Sequence, residues 1–103
     1  MSLSKTEQVA PFYFCVDIGK YTGTSAASYE DFLASIKKVE PKSLDFHLNR
    51  GDFEKWVSDV LKDEELAKEI GGLKSQKLRG RALRNRLYGI VSERHKELTS
   101  KTR

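Results

Sequence analysis

The sequence predicts a mainly α-helical fold: a small bundle of four to five helices with an extended or strand-like N-terminal arm. Three observations carry this. Apolar residues recur at helical spacing in separate stretches, most densely where Phe53, Trp56, Val57, Val60 and Leu61 fall at i, i+3, i+4, i+7 and i+8. Residues suited to starting or stopping helices lie between those stretches: Ser28, Pro41, Asp63 and Gly71-Gly72. Only Pro11 to Ile18 alternates in the manner of a strand. The 103 residues suit one domain, assigned to residues 11–98, with a flexible start over 1–10 and a frayed end over 99–103.

In PFYFCVDI, Phe12, Phe14, Val16 and Ile18 point one way and Tyr13, Cys15 and Asp17 the other. No other segment reads as a strand, and a lone strand leaves main-chain groups unpaired. Three readings stay open: an arm lying across the helices, pairing with the same segment of a second chain, or a short helix. Tyr21 to Ser28 is small and polar and reads as a loop. Ser28 then caps a helix in which Tyr29, Phe32, Leu33, Ile36 and Val39 line one face, with Asp31 completing a capping box. Glu40-Pro41 ends it. A short helix follows from about Ser43 to Asn49. Asp52 is placed to cap the Phe53 helix after a break at Gly51. Asp63 caps the next, with Leu66, Ala67 and Ile70 inward. The last helix is expected from about Gln76 to Thr99, with Leu83, Leu87, Ile90, Val91 and Leu98 in its apolar stripe and Gly80 and Gly89 inside it. Each interior glycine costs about 1 kcal/mol relative to Ala, so close packing against a bulky side chain such as Trp56 is expected there. The expected core also takes in Val16, Leu33, Phe46, Leu48, Val60 and Leu61.

Composition narrows the class. With 38% hydrophobic and 33% charged residues the chain reads as soluble and globular. No apolar run approaches the roughly 20 residues of a membrane helix, and no signal peptide is visible, so no membrane partner is expected. A single cysteine, Cys15, excludes an intrachain disulfide and suits a reducing, cytoplasmic setting. Charge is uneven: residues 74–103 hold ten Lys or Arg against two Glu, while residues 1–73 hold nine against thirteen Asp or Glu.

The candidate sites are few. Asp45, His47, Arg50 and Asp52 cluster in sequence near Trp56. Two readings apply: a pocket for a small anionic ligand, with Arg50 as anion clamp and His47 as donor, or caps and salt bridges that hold a turn. Lys74, Lys77, Arg79, Arg81, Arg84 and Arg86 form a basic set that either lies along nucleic-acid phosphates or is a solvated helix face. His47 and His95 have no second ligand at helical spacing, so no metal is expected, and nothing implies a cofactor. Cys15 has no basic neighbour and reads as a structural thiol. Gly19 to Ser25 has the residue types of a phosphate loop but not their order. No catalytic constellation appears.

Phe12, Phe14, Thr22, Gly23, Ala26, Phe32, Phe46, His47, Arg50, Gly51, Asp52, Phe53, Trp56, Asp63, Leu66 and Ala67 together resemble the pattern of an archaeal and bacterial domain family of unknown function. That family is marked by a central FH-x-x-RGDF-x-x-W motif. The resemblance covers about residues 11–98 and implies one self-contained, mainly helical domain. It implies no reaction and no ligand. The leading expectation is a non-enzymatic interaction or regulatory module that binds a protein partner or forms a homodimer. Nucleic-acid binding and the ligand site are the alternatives.

Overall fold

The Phe12–Cys15 strand finds its partner within the chain. In the computed structural model, which describes residues 10–101, β1 (Phe12–Cys15) pairs antiparallel with β2 (Tyr21–Ala26). The register sets Phe12 against Ala26, Tyr13 against Ser25, Phe14 against Thr24, and Cys15 against Tyr21. This corrects both the unpaired arm and the expected loop over Tyr21–Ser28. The second strand escaped notice because it is small, polar and bulged. The register jumps between Phe14 and Cys15, and Gly23 takes a left-handed φ of 92°. Thr22 stitches the irregularity: its hydroxyl donates to the Phe14 carbonyl at 2.8 Å and accepts the Thr24 N–H at 3.2 Å. The turn between the strands closes on Val16 N–H to Lys20 O at 3.0 Å. Alternation therefore stops at Val16, and Ile18 is 75% exposed rather than inward. The expected flexible start concerns residues that, but for Ala10, lie outside the described ones.

Five α-helices follow: α1 (Tyr29–Lys38), α2 (Pro41–Arg50), α3 (Asp52–Asp59), α4 (Glu64–Gly71) and α5 (Gly80–Lys101), with a 3-10 turn at Gly72–Gln76. The fold is thus mainly helical with a two-stranded sheet at its N-terminal side. At α1, Ser28 accepts the Asp31 N–H at 3.1 Å and Asp31 reaches back to the Ala27 N–H at 3.1 Å, so the reciprocal cap read from sequence forms, displaced by one residue on the return. Pro41 both ends α1 and opens α2, where its missing N–H costs nothing. Gly51 breaks α2 from α3 with φ of 79°. Asp52 does not cap α3; its carboxylate turns to His47 and Arg50 instead. Asp63 does cap α4, accepting the Leu66 N–H at 3.0 Å.

The C-terminal helix begins later than expected. Lys77 and Gly80 both adopt left-handed φ, 51° and 55°, so Gly80 opens α5 instead of lying within it. The helix then runs to Lys101, past the expected end at Thr99. Leu83, Leu87 and Val91 seal the core from this side. Across from them the Phe12, Phe14, Phe32, Phe53 and Trp56 rings pack at centroid distances of 4.9–6.4 Å. Val16, Leu33, Phe46, Val60, Leu61 and Ile90 are half-buried, while Ala26, Val39, Leu44 and Leu73 complete the interior. Leu44 enters because α2 starts at Pro41, which turns residues 44, 47 and 48 inward together.

Two arginines of α5 brace the helices. Arg84 Nε donates to the Ile36 carbonyl at 3.0 Å and its Nη2 to the Val39 carbonyl, supplying the missing partners at the end of α1. Arg94 Nε pairs with Asp63 at 2.9 Å, and the Tyr29 hydroxyl donates to the same carboxylate at 2.7 Å. Burial would push the Asp63 carboxyl up, but Arg94, Tyr29 and the Leu66 N–H together hold it below its ordinary value.

Close packing does not account for the glycines of α5: a Cβ at Gly80 or Gly89 would meet nothing within 4 Å. Gly89 lies mid-helix and exposed, so Gly89→Ala should stabilise the fold by about 0.5–1 kcal/mol. A calorimetric melt should show Tm rising by a few degrees; an unchanged or lower Tm would mean the helix is not regular at that point.

Candidate functional site: the His47 junction

His47 lies on α2, one turn before the Gly51 break, and is buried. Four phenylalanine rings surround it: Phe12 at 4.7 Å, Phe46 at 4.9 Å, Phe53 at 5.6 Å and Phe14 at 6.1 Å between centroids. Both ring nitrogens are engaged. Nε2 accepts the main-chain N–H of Cys15 at 2.8 Å. Nδ1 must then carry the proton, and it donates to Asp52 Oδ2 at 2.8 Å. The same oxygen accepts from Arg50 Nε at 3.1 Å. Next to this, Ser43 Oγ donates to the Cys15 carbonyl at 2.8 Å, and the Trp56 indole N–H donates to the Ala10 carbonyl at 2.8 Å. Helix α2 thus holds the outward edge of β1 at Cys15 through two side chains, and α3 holds the chain just before β1 through Trp56.

The chemistry of this arrangement follows from what sits on Nε2. An Asp–His pair beside a cysteine is the wiring of an activated thiol nucleophile. Here the group on the imidazole is the Cys15 amide, not its sulfur; the thiol lies 3.9 Å from the Tyr13 carbonyl. With its one acceptor already filled, the neutral ring has no lone pair left to take a proton from a substrate. The junction therefore reads as a fastening of the hairpin. Burial lowers the His47 pKa below its ordinary value; Asp52 opposes the shift and the Arg50 charge adds to it.

The sequence-predicted residues divide on the structure. His47, Arg50 and Asp52 do come together, and Trp56 stands beside them on the Phe12 ring. His47 bonds to Asp52 and to main chain, Trp56 bonds to main chain, and Arg50 bonds to Asp52 through Nε and lies over the Phe46 ring at 5.1 Å. Asp45 stands apart, accepting from Asn49 within α2. In the basic set, Lys74 pairs with Glu54 at 3.4 Å and Arg84 is tied to α1. Lys77, Arg79, Arg81 and Arg86 are exposed around the start of α5. Among the described residues no group of three or more His, Cys, Asp or Glu side chains could hold a metal ion, and no helix is long and apolar enough to cross a membrane.

Sequence reasoning missed the Ser43 hydroxyl and the Tyr29–Asp63–Arg94 network. Asp63 was legible as a cap, but nothing local ties it to Arg94, 31 residues away. For Ser43, a small polar residue between apolar Leu44 and the Pro41 start was the available signal.

The junction makes stability depend on pH. The unfolded imidazole titrates near 6.5, and the folded one lower. Stability is then full above about pH 6.5 and declines as pH falls toward the folded value, because the unfolded chain binds the extra proton first. For one proton the slope cannot exceed about 1.4 kcal/mol per pH unit. Urea melts between pH 7.5 and 5 should show this for the wild type, and His47→Gln, though less stable, should lose most of the slope.

A model described as a family of unknown function (DUF5752) matches residues 7–103, nearly the whole chain, so the chain belongs to that family. No curated protein and no solved structure matches.

Proposed function

We propose that this domain is a non-catalytic protein-interaction module that engages a polypeptide partner through the outer face of its hairpin. One observation carries the reading. Tyr13, Ile18 and Tyr21 are 54%, 75% and 53% exposed, all on the hairpin, and the two tyrosine rings meet edge to face at 5.6 Å. Tyrosines supply large amphipathic area at low conformational cost, which is why they are enriched where proteins meet. The platform beneath them is firm, since His47, Ser43 and Trp56 fasten its main chain at Cys15 and Ala10. The His47 geometry supports the non-catalytic half of the reading.

A photo-crosslinking residue at Tyr13 and, in a second variant, at exposed Ala82 on α5 tests this in cells. The expected result is a covalent adduct of defined mass from the hairpin position and none from Ala82. Equal or no crosslinking at the two positions would count against the hairpin.

A second reading is supported by the exposed cations Lys77, Arg79, Arg81 and Arg86 beside the N-terminus of α5, whose dipole adds to their field. It is binding to nucleic-acid phosphates. It predicts weak, sequence-independent duplex binding whose affinity falls steeply between about 50 and 200 mM salt. Absent or salt-insensitive binding in a fluorescence-anisotropy titration would sink it.

A further inference from the structure

The two edges of the hairpin are treated differently. On β1 the Cys15 N–H and carbonyl are taken by His47 and Ser43, and the Ala10 carbonyl by Trp56. In an antiparallel pair the main-chain groups alternate between the partner and the outside. Because Cys15 turns its groups away from β2, Tyr13 and its opposite number Ser25 turn theirs outward as well. On the Ser25 side no further strand pairs among the described residues, where the sheet has two strands. The β2 edge, Tyr21–Ala26, carries no charge and no proline; of the usual means of blunting an edge it has the bulge at Thr22 and Gly23, and α1 flanks it.

Beside this edge is a concavity of about 330 Å³ between β2 and α1. Its walls are small. Gly23, Thr24 and Ser25 form one side, and Ala34 stands at the middle of the other. A neighbouring strand at the usual spacing of about 4.8 Å would lie in this space. Asp31 and Lys38 line the same concavity, one on either side of Ala34 and about 10 Å apart along the helix. Lys38 makes no ion pair among the described residues, and Asp31 uses Oδ2 on the Ala27 N–H. The other charges of α1 are directed elsewhere: Glu30 toward His95 at 3.9 Å, and Lys37 over the Tyr88 ring at 5.2 Å.

An acid first and a base last also suit a helix dipole. What is particular here is their placement about one open strand edge. A two-fold axis near Ala34 would bring Asp31 of each copy to Lys38 of the other. The same axis would run β2 antiparallel to its counterpart. Self-complementarity of this kind is what an isologous interface requires.

We infer that a second copy of this chain docks along the open β2 edge, so that the two hairpins form one four-stranded antiparallel sheet with reciprocal Asp31–Lys38 pairs beneath it. Each β2 then fills the concavity of the other copy. The surface is separate from the outer face that carries the tyrosines, so the proposal goes beyond the interaction-module reading.

Sedimentation equilibrium of the full chain from low micromolar to near-millimolar concentration tests it. The expected result is a concentration-dependent dimer. Lys38→Asp alone and Asp31→Lys alone should each weaken it roughly tenfold or more, and the double exchange should recover most of the loss. Because Asp31→Lys also removes a bond to the Ala27 N–H, Ala34→Arg serves as an independent block at an exposed position, with circular dichroism to confirm folding. A monomer throughout overturns the proposal, as does a dimer indifferent to Ala34→Arg and to the charge exchange. A dimer abolished only by Tyr13→Ser with Tyr21→Ser would move self-association to the outer face, overturning this interface while supporting the hairpin reading.

Discussion

A neutral imidazole in an aromatic setting is the constraint on which the rest of this structure depends. His47 can bridge Asp52 and the Cys15 amide only while one nitrogen donates and the other accepts. That single tautomer joins three elements: α2, which carries it, α3, which opens on Asp52, and β1, whose edge it closes. The hairpin is short and a two-stranded sheet has little stability of its own. It persists because Phe12, Phe14 and Ala26 are buried against the helices and because its main chain is fastened at Ala10 and Cys15. The same fastening leaves Tyr13 and Tyr21 in fixed positions toward solvent.

The helical body has braces of a related kind. Arg84 and Arg94 project from α5; Arg84 satisfies carbonyls at the end of α1, and Arg94 supplies the counter-charge to the buried Asp63 carboxylate at the start of α4. Two of the ten basic residues after position 73 are therefore components of the fold. The charge asymmetry of the sequence overstates the field available to a partner, and what remains is concentrated near the beginning of α5.

Both the strength and the limit of sequence reading show in particular residues. The helices were legible because their signals are local. Ser28 and Asp63 cap by reaching a main-chain N–H three residues on, and the Phe53-Trp56-Val57 stripe repeats within two turns. The start of α5 was misplaced because left-handed backbone at Lys77 is not something a lysine announces. The second strand was invisible for a related reason. Thr-Gly-Thr-Ser-Ala has weak strand preference, and the bulge at Thr22 and Gly23 breaks the alternation that would have marked it. At the candidate site, the proximity of His47, Arg50 and Asp52 was readable from their spacing, but their role was not. Their partner is an amide 32 residues away, and any residue type offers an amide.

The sequence by itself determined a small, mainly helical domain, the positions of most helix boundaries, and the residues of its aromatic core, because periodicity and capping act over a few residues. Tertiary structure decided that Phe12–Cys15 has a partner strand in its own chain, that His47 fastens main chain instead of activating a thiol, and that Tyr13 and Tyr21 share an exposed face. Those outcomes depend on which distant main-chain groups meet, and that is set by the packed arrangement of the helices rather than by any local pattern.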